Sequence, residues 1–126
     1  MAKGLLGWDD TIVALATPPG VGAIGVIRLS GNNAFKIVNE LFPSKDLVNQ
    51  EPNTIHVGYL SNEGKVLDEV VLSLFRSPRS YTGEDVIEIS CHGSPYVQQE
   101  IIKTCIEKGA RFAKPGEFTQ RAFLNG

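Results

Sequence analysis

Little in this sequence asks for a special environment. Its 126 residues include only two cysteines, two histidines, one methionine and one tryptophan. Cys91 and Cys105 make no C-x-x-C pair and have no histidine at ligand spacing, which argues against a zinc site and a disulfide framework. They read as plain buried thiols. No apolar run approaches the roughly 20 residues that span a bilayer. The opening MAKGLLGWDD has too short an apolar patch for a signal peptide. The expectation is a cytoplasmic protein with no membrane contact. A strong charge is missing as well: 12 basic and 14 acidic side chains leave a net charge of −2. Lys103, Lys108, Arg111, Lys114 and Arg121 gather at the C-terminal end. Such a cluster admits RNA, but nucleic-acid domains are usually far more basic, and a solvated face explains it.

What remains is ordinary globular composition, 42% hydrophobic and 21% charged, in a length that suits one domain with one core. Residues 11–17, TIVALAT, and 24–30 are rich in β-branched residues and predict two strands. Gly31-Asn32-Asn33 caps a short helix carrying Phe35, Val38, Leu41 and Phe42, which Pro43 ends. Residues 54–60 and 66–76 predict a hairpin around Ser61-Asn62-Glu63-Gly64. A strand over 85–91 leads to Ser94 as N-cap, Pro95 at the first helical position, an apolar stripe to Ile106 and a stop at Gly109. A last short strand at 110–113 precedes TQRAFLNG, the start of a helix. The order β-β-α-β-β-β-α-β argues an α+β fold, a mixed sheet with two helices.

The glycines of TPPGVGAIGVIRLSG spell G-x-G-x-x-G at Gly20, Gly22 and Gly25. A dinucleotide site needs a helix after them, and here a second strand follows. A P-loop needs Lys and Ser or Thr after its last glycine, and Val26 and Ile27 stand there. The glycines therefore serve a tight turn at Pro18-Pro19-Gly20 and a close backbone approach.

Two charges stand on strand faces that begin apolar. Side chains alternate, so Arg28 shares a face with Ile24 and Val26, and Glu88 with Val86, Ser90 and His92. Two readings stay open: a pair across a half-buried sheet, or the floor of a ligand site. A carboxylate suits a heterocycle with two adjacent N–H donors, as in guanine and pterin, and an arginine suits an anionic or carbonyl-bearing part. His92 reads as a strand-end residue bonded to the turn or as a ligand contact; Cys91 faces the other way, so a Cys–His nucleophile pair is geometrically poor. His56 reads as structural. The loop Ser80-Tyr81-Thr82-Gly83-Glu84-Asp85 is either a turn with Gly83 at positive φ or a lid in which Tyr81 stacks on a ligand.

Three blocks, DTIVALATPPGVGAIGVIRLSG, SYTGEDVIEISCHGSP and KPGEFTQRAFLNG, closely resemble the N-terminal domain of the tRNA-modification GTPase family called MnmE or TrmE. They run in the right order and span nearly the whole chain. The resemblance implies a folate-binding domain akin to that of aminomethyltransferases, occupying residues 11–118 after a flexible N-terminus at 1–10. Residues 119–126 would begin a truncated helix leading to absent helical and GTPase domains. It implies a homodimer that binds 5-formyltetrahydrofolate or a related tetrahydrofolate. With a flavin-dependent partner, the whole protein would install a carboxymethylaminomethyl group on the wobble uridine of certain tRNAs. GTP, magnesium and potassium would belong to the absent GTPase domain, and no catalytic activity is expected from these residues alone. The family's folate contacts fall on Arg28 and Glu88, with a further lysine just beyond Gly126. Tyr81 and the backbone at Gly22 are additional candidate contacts. Ser94 departs from the family's usual second glycine after the histidine. The alternative is an interaction and dimerisation module with a vestigial pocket.

Overall fold

The structure, a computed structural model, describes residues 10–126; apart from Asp10, the expected flexible N-terminus lies outside the described residues. Six strands form one mixed sheet in the order β3-β4-β5-β2-β1-β6. They are β1 (Ile12–Leu15), β2 (Ile24–Ser30), β3 (Thr54–Asn62), β4 (Lys65–Phe75), β5 (Val86–His92) and β6 (Arg111–Phe112). All neighbours are antiparallel except β1 and β6, which run parallel.

The helices are α1 (Ala34–Asn39), α2 (Pro95–Glu107) and α3 (Glu117–Leu124), with a single 3-10 turn at Leu47–Asn49. Among the described residues the expected count of two thus becomes three, because the segment that showed only the opening of a helix completes two turns and begins two residues earlier. α2 starts where expected: the Ser94 hydroxyl accepts from the Val97 N–H at 3.4 Å, with Pro95 behind it. α1 differs. Asn33 is its N-cap but makes no side-chain cap bond; its own N–H donates to the Thr11 hydroxyl at 2.9 Å.

One face of the sheet is closed by α1 and α2. Ile27, Leu29, Leu72, Leu74, Ile87 and Ile89 meet Phe35, Ile37, Val38 and Leu41 from α1 and its C-terminal turn, and Ile101 and Cys105 from α2. Each fully buried Leu or Ile contributes about 1.5–3 kcal/mol. Burial pushes the Cys91 thiol up to about 11 and the Cys105 thiol to about 12, so both are held neutral. The other face is divided. At the Ser30 and Val86 end it is covered, with Ser30 fully buried and Val86 1% exposed. Toward β3 it is open, and Ile55, Val57 and Tyr59 are more than half exposed.

The glycine approach has a specific location. A Cβ on Gly93 would lie 1.9 Å from the Gly22 carbonyl oxygen, and one on Gly25 would strike the Gln98 side chain of α2 at 2.2 Å. Gly22 donates its N–H to Gly93 at 3.1 Å, and Gly93 donates to Ala23 at 3.2 Å. Two stretches of backbone lie against each other, and the steric need falls on Gly93 and Gly25. A side chain at Gly20 or Gly22 would meet nothing. Gly20 instead takes φ +112°, as the turn after two prolines expects.

Candidate functional site

Register brings the two strand charges together. Arg28 stands directly opposite Glu88 in the β2–β5 pair, and the row continues through Ser73 of β4 to Ile55 of β3. Both side chains lie on the face away from α1 and α2, and Arg28 Nε donates to Glu88 Oε2 at 2.9 Å. The side chains are 20% and 26% exposed, so the pair is partly desolvated yet open to a ligand. One contact joins them. Among the described residues, no partner is seen for Glu88 Oε1 or for the two terminal amino groups of Arg28. The pair therefore keeps one acceptor and two donor groups in hand.

Two aromatic rings stand beside the guanidinium. Its carbon is 4.8 Å from the centroid of Tyr81 and 5.2 Å from that of Phe118, both within cation–π range. Tyr81 comes from the 77–85 loop and Phe118 from α3, and Tyr81 Oη meets Thr119 Oγ1 at 3.0 Å. The loop is pinned along its length. Asp85 accepts from the Ser77 N–H at 2.9 Å and from Arg76 at 3.2 Å. Ser30 Oγ donates to Glu84 at 2.7 Å and lies 2.6 Å from the Thr82 hydroxyl. Gly83 takes φ +84°.

Behind the loop lies a charge cluster that corrects the solvated-face expectation for Arg111 and Arg121, whose guanidiniums are taken up in ion pairs. Arg121 of α3 is fully buried and binds Asp10, Glu84 and Glu117 at 2.7, 3.1 and 3.1 Å. Arg111 adds bonds to Glu117 at 2.6 Å and to Asp10 at 2.7 Å. Burial alone would raise the Glu117 carboxyl, but Arg111, the Lys114 N–H and Arg121 bring it down to about 2. A pairing of Glu117 with Arg121 at i, i+4 was the available signal. Phe118 had a weaker one, an aromatic between them in sequence.

The other candidates lie elsewhere. Ile24 begins β2 four residues, about 13 Å, from Arg28, and Gly22 lies beyond it, lining a cavity of about 350 Å³ with His92 and Ser94. The fold therefore gathers Arg28, Glu88 and Tyr81 and leaves Gly22 at the far end of the sheet. His92 is bonded twice to Asp68 of β4, through its N–H at 2.9 Å and Nδ1 at 2.7 Å. Its partner is thus a strand neighbour rather than the turn. His56 is buried between Lys45 and Thr54, the structural role expected. Among the described residues no helix is long and apolar enough to cross a membrane.

A family model described as the N-terminus of the GTP-binding protein TrmE matches residues 11–126. A tRNA modification GTPase MnmE from Cytophaga hutchinsonii is 59% identical over 117 residues, 93% of this chain and 25% of that protein. The protein of the same name from Flavobacterium johnsoniae is 59% identical over 121 residues, 94% of this chain and 26% of its own length. That of Streptococcus thermophilus is 49% identical over 117 residues, with 93% and 26% covered. The chain thus spans about a quarter of the length of the relatives it matches.

Proposed function

The chain belongs to the family of TrmE N-terminal domains, and on that premise we propose that it is the tetrahydrofolate-binding, homodimerising N-terminal domain of a tRNA-modifying GTPase. The whole protein would work with a flavin-dependent partner to place a carboxymethylaminomethyl group on the wobble uridine of certain tRNAs. GTP, magnesium and potassium would be handled by its other domains.

The observation that carries the folate reading is the Arg28–Glu88 pair, joined at one contact on a half-open face. A reduced pterin presents an amino group and a ring N–H side by side, and Glu88 has acceptor capacity to meet them. The terminal amino groups of Arg28 suit a carbonyl or the anionic tail. Bound 5-formyltetrahydrofolate would supply a one-carbon unit. The lysine expected just beyond Gly126 would enter near this site, because Asn125 Nδ2 donates to the Thr82 carbonyl at 3.0 Å beside Tyr81. The open apolar residues Ile55, Val57 and Tyr59 support self-association.

A second reading, an interaction module with a vestigial pocket, draws on the same contact: Arg28 and Glu88 already partly satisfy each other. Calorimetric titration with 5-formyltetrahydrofolate separates the two. Saturable binding is expected, tighter in a form extended past Gly126. No saturable heat at either length favours the vestigial pocket. Glu88→Gln is expected to weaken binding by about 1–3 kcal/mol, the loss of a charged hydrogen-bond partner.

A further inference from the structure

We infer that Phe118 is a positioning residue of this site, setting the orientation in which Arg28 meets its ligand; the inference rests on the folate reading. Arginine has a long, flexible side chain, and one hydrogen bond from Nε leaves its plane free to swing. The Phe118 ring, 5.2 Å from the guanidinium carbon, and the Tyr81 ring at 4.8 Å restrict that swing. The amino groups without a partner among the described residues are thereby presented in one arrangement, which lowers the ordering cost of binding.

Phe118 is only partly buried and lies outside the main hydrophobic core and the residues packed on it. Its placement is nevertheless firmly fixed. The next residue, Thr119, meets the Tyr81 hydroxyl, and Arg121, one turn on, is clamped by Glu84, Asp10 and Glu117. Asn125 closes the far end of α3 on the Thr82 carbonyl. Five contacts thus hold the helix that presents this aromatic ring to one guanidinium.

The test is titration of the full-length protein with 5-formyltetrahydrofolate. Phe118→Leu, which keeps apolar bulk and removes the ring, is expected to weaken binding about 3- to 10-fold. Phe118→Tyr should stay within about twofold of the parent. In an Arg28→Lys background, where the planar fork is gone, the Phe118→Leu loss should fall below about twofold, because the ring then has nothing to orient. Unchanged affinity in Phe118→Leu, failure of Phe118→Tyr to rescue, or an equal loss in both backgrounds overturns the inference. An affinity indifferent to Glu88→Gln and Arg28→Lys as well would fault the folate assignment itself, and Phe118 with it.

Discussion

Arg121 draws its partners from far along the chain, so the helix that carries it is fastened by tertiary contacts. Arg121 binds Asp10 and Glu84, 111 and 37 residues away. This cluster makes an acid-stability prediction. The Glu117 carboxyl is depressed from 4.5 to about 2 in the folded state. Its contribution is therefore complete above about pH 4.5 and is lost as pH falls toward 2, on the order of 3 kcal/mol in all. Melting curves between pH 5 and 2 should show a steep decline that Glu117→Gln flattens while lowering stability at neutral pH. An unchanged slope in that variant would remove Glu117 from the account. Gly93 carries a different constraint. Gly93→Ala would drive a methyl group into the Gly22 carbonyl, and a loss of about 2–3 kcal/mol in denaturant unfolding is expected. The two thiols, held neutral by burial, should not react with a disulfide reagent at pH 8 before the protein unfolds.

Elements were read well wherever periodicity and punctuation agreed. β2 and β5 carry regular alternation, and α2 is bracketed by Ser94-Pro95 and Gly109. The hairpin turn tightened: β3 and β4 extend to Asn62 and Lys65, leaving a two-residue loop, Glu63-Gly64, with φ of 50° and 82°. Two positive φ values mark a type I′ turn, in which Asn-Gly is the favoured pair. Glu63→Asn should therefore raise stability by about 0.5 kcal/mol, since a left-handed glutamate is strained and asparagine tolerates that conformation. A neutral or destabilising result in chemical denaturation would contradict the turn assignment. α3 was the least legible element. Its N-cap, Gly116, has no capping side chain and takes φ 75°, so the usual Ser, Thr, Asp or Asn signal is missing. Tertiary charge pairing, rather than local sequence, fastens this helix.

For the whole molecule, the α+β class and the strand count followed from element order, but sheet order did not. That β5 lies between β4 and β2 depends on long-range pairing, and this insertion is what sets Glu88 opposite Arg28. The sheet then serves two purposes with its two faces. One is sealed by α1 and α2; the other carries the charged pair near its covered end and apolar side chains toward β3. Light scattering should give a dimer mass, and a monomer mass at high concentration would count against the proposed homodimer. On the proposed function, the Arg28–Glu88 pair receives a reduced pterin. A crystal structure of the full-length protein with 5-formyltetrahydrofolate tests it most directly. The pterin amino and ring N–H groups are expected within hydrogen-bond distance of the Glu88 carboxylate. A pterin bound elsewhere, with the Arg28–Glu88 pair untouched, would contradict it.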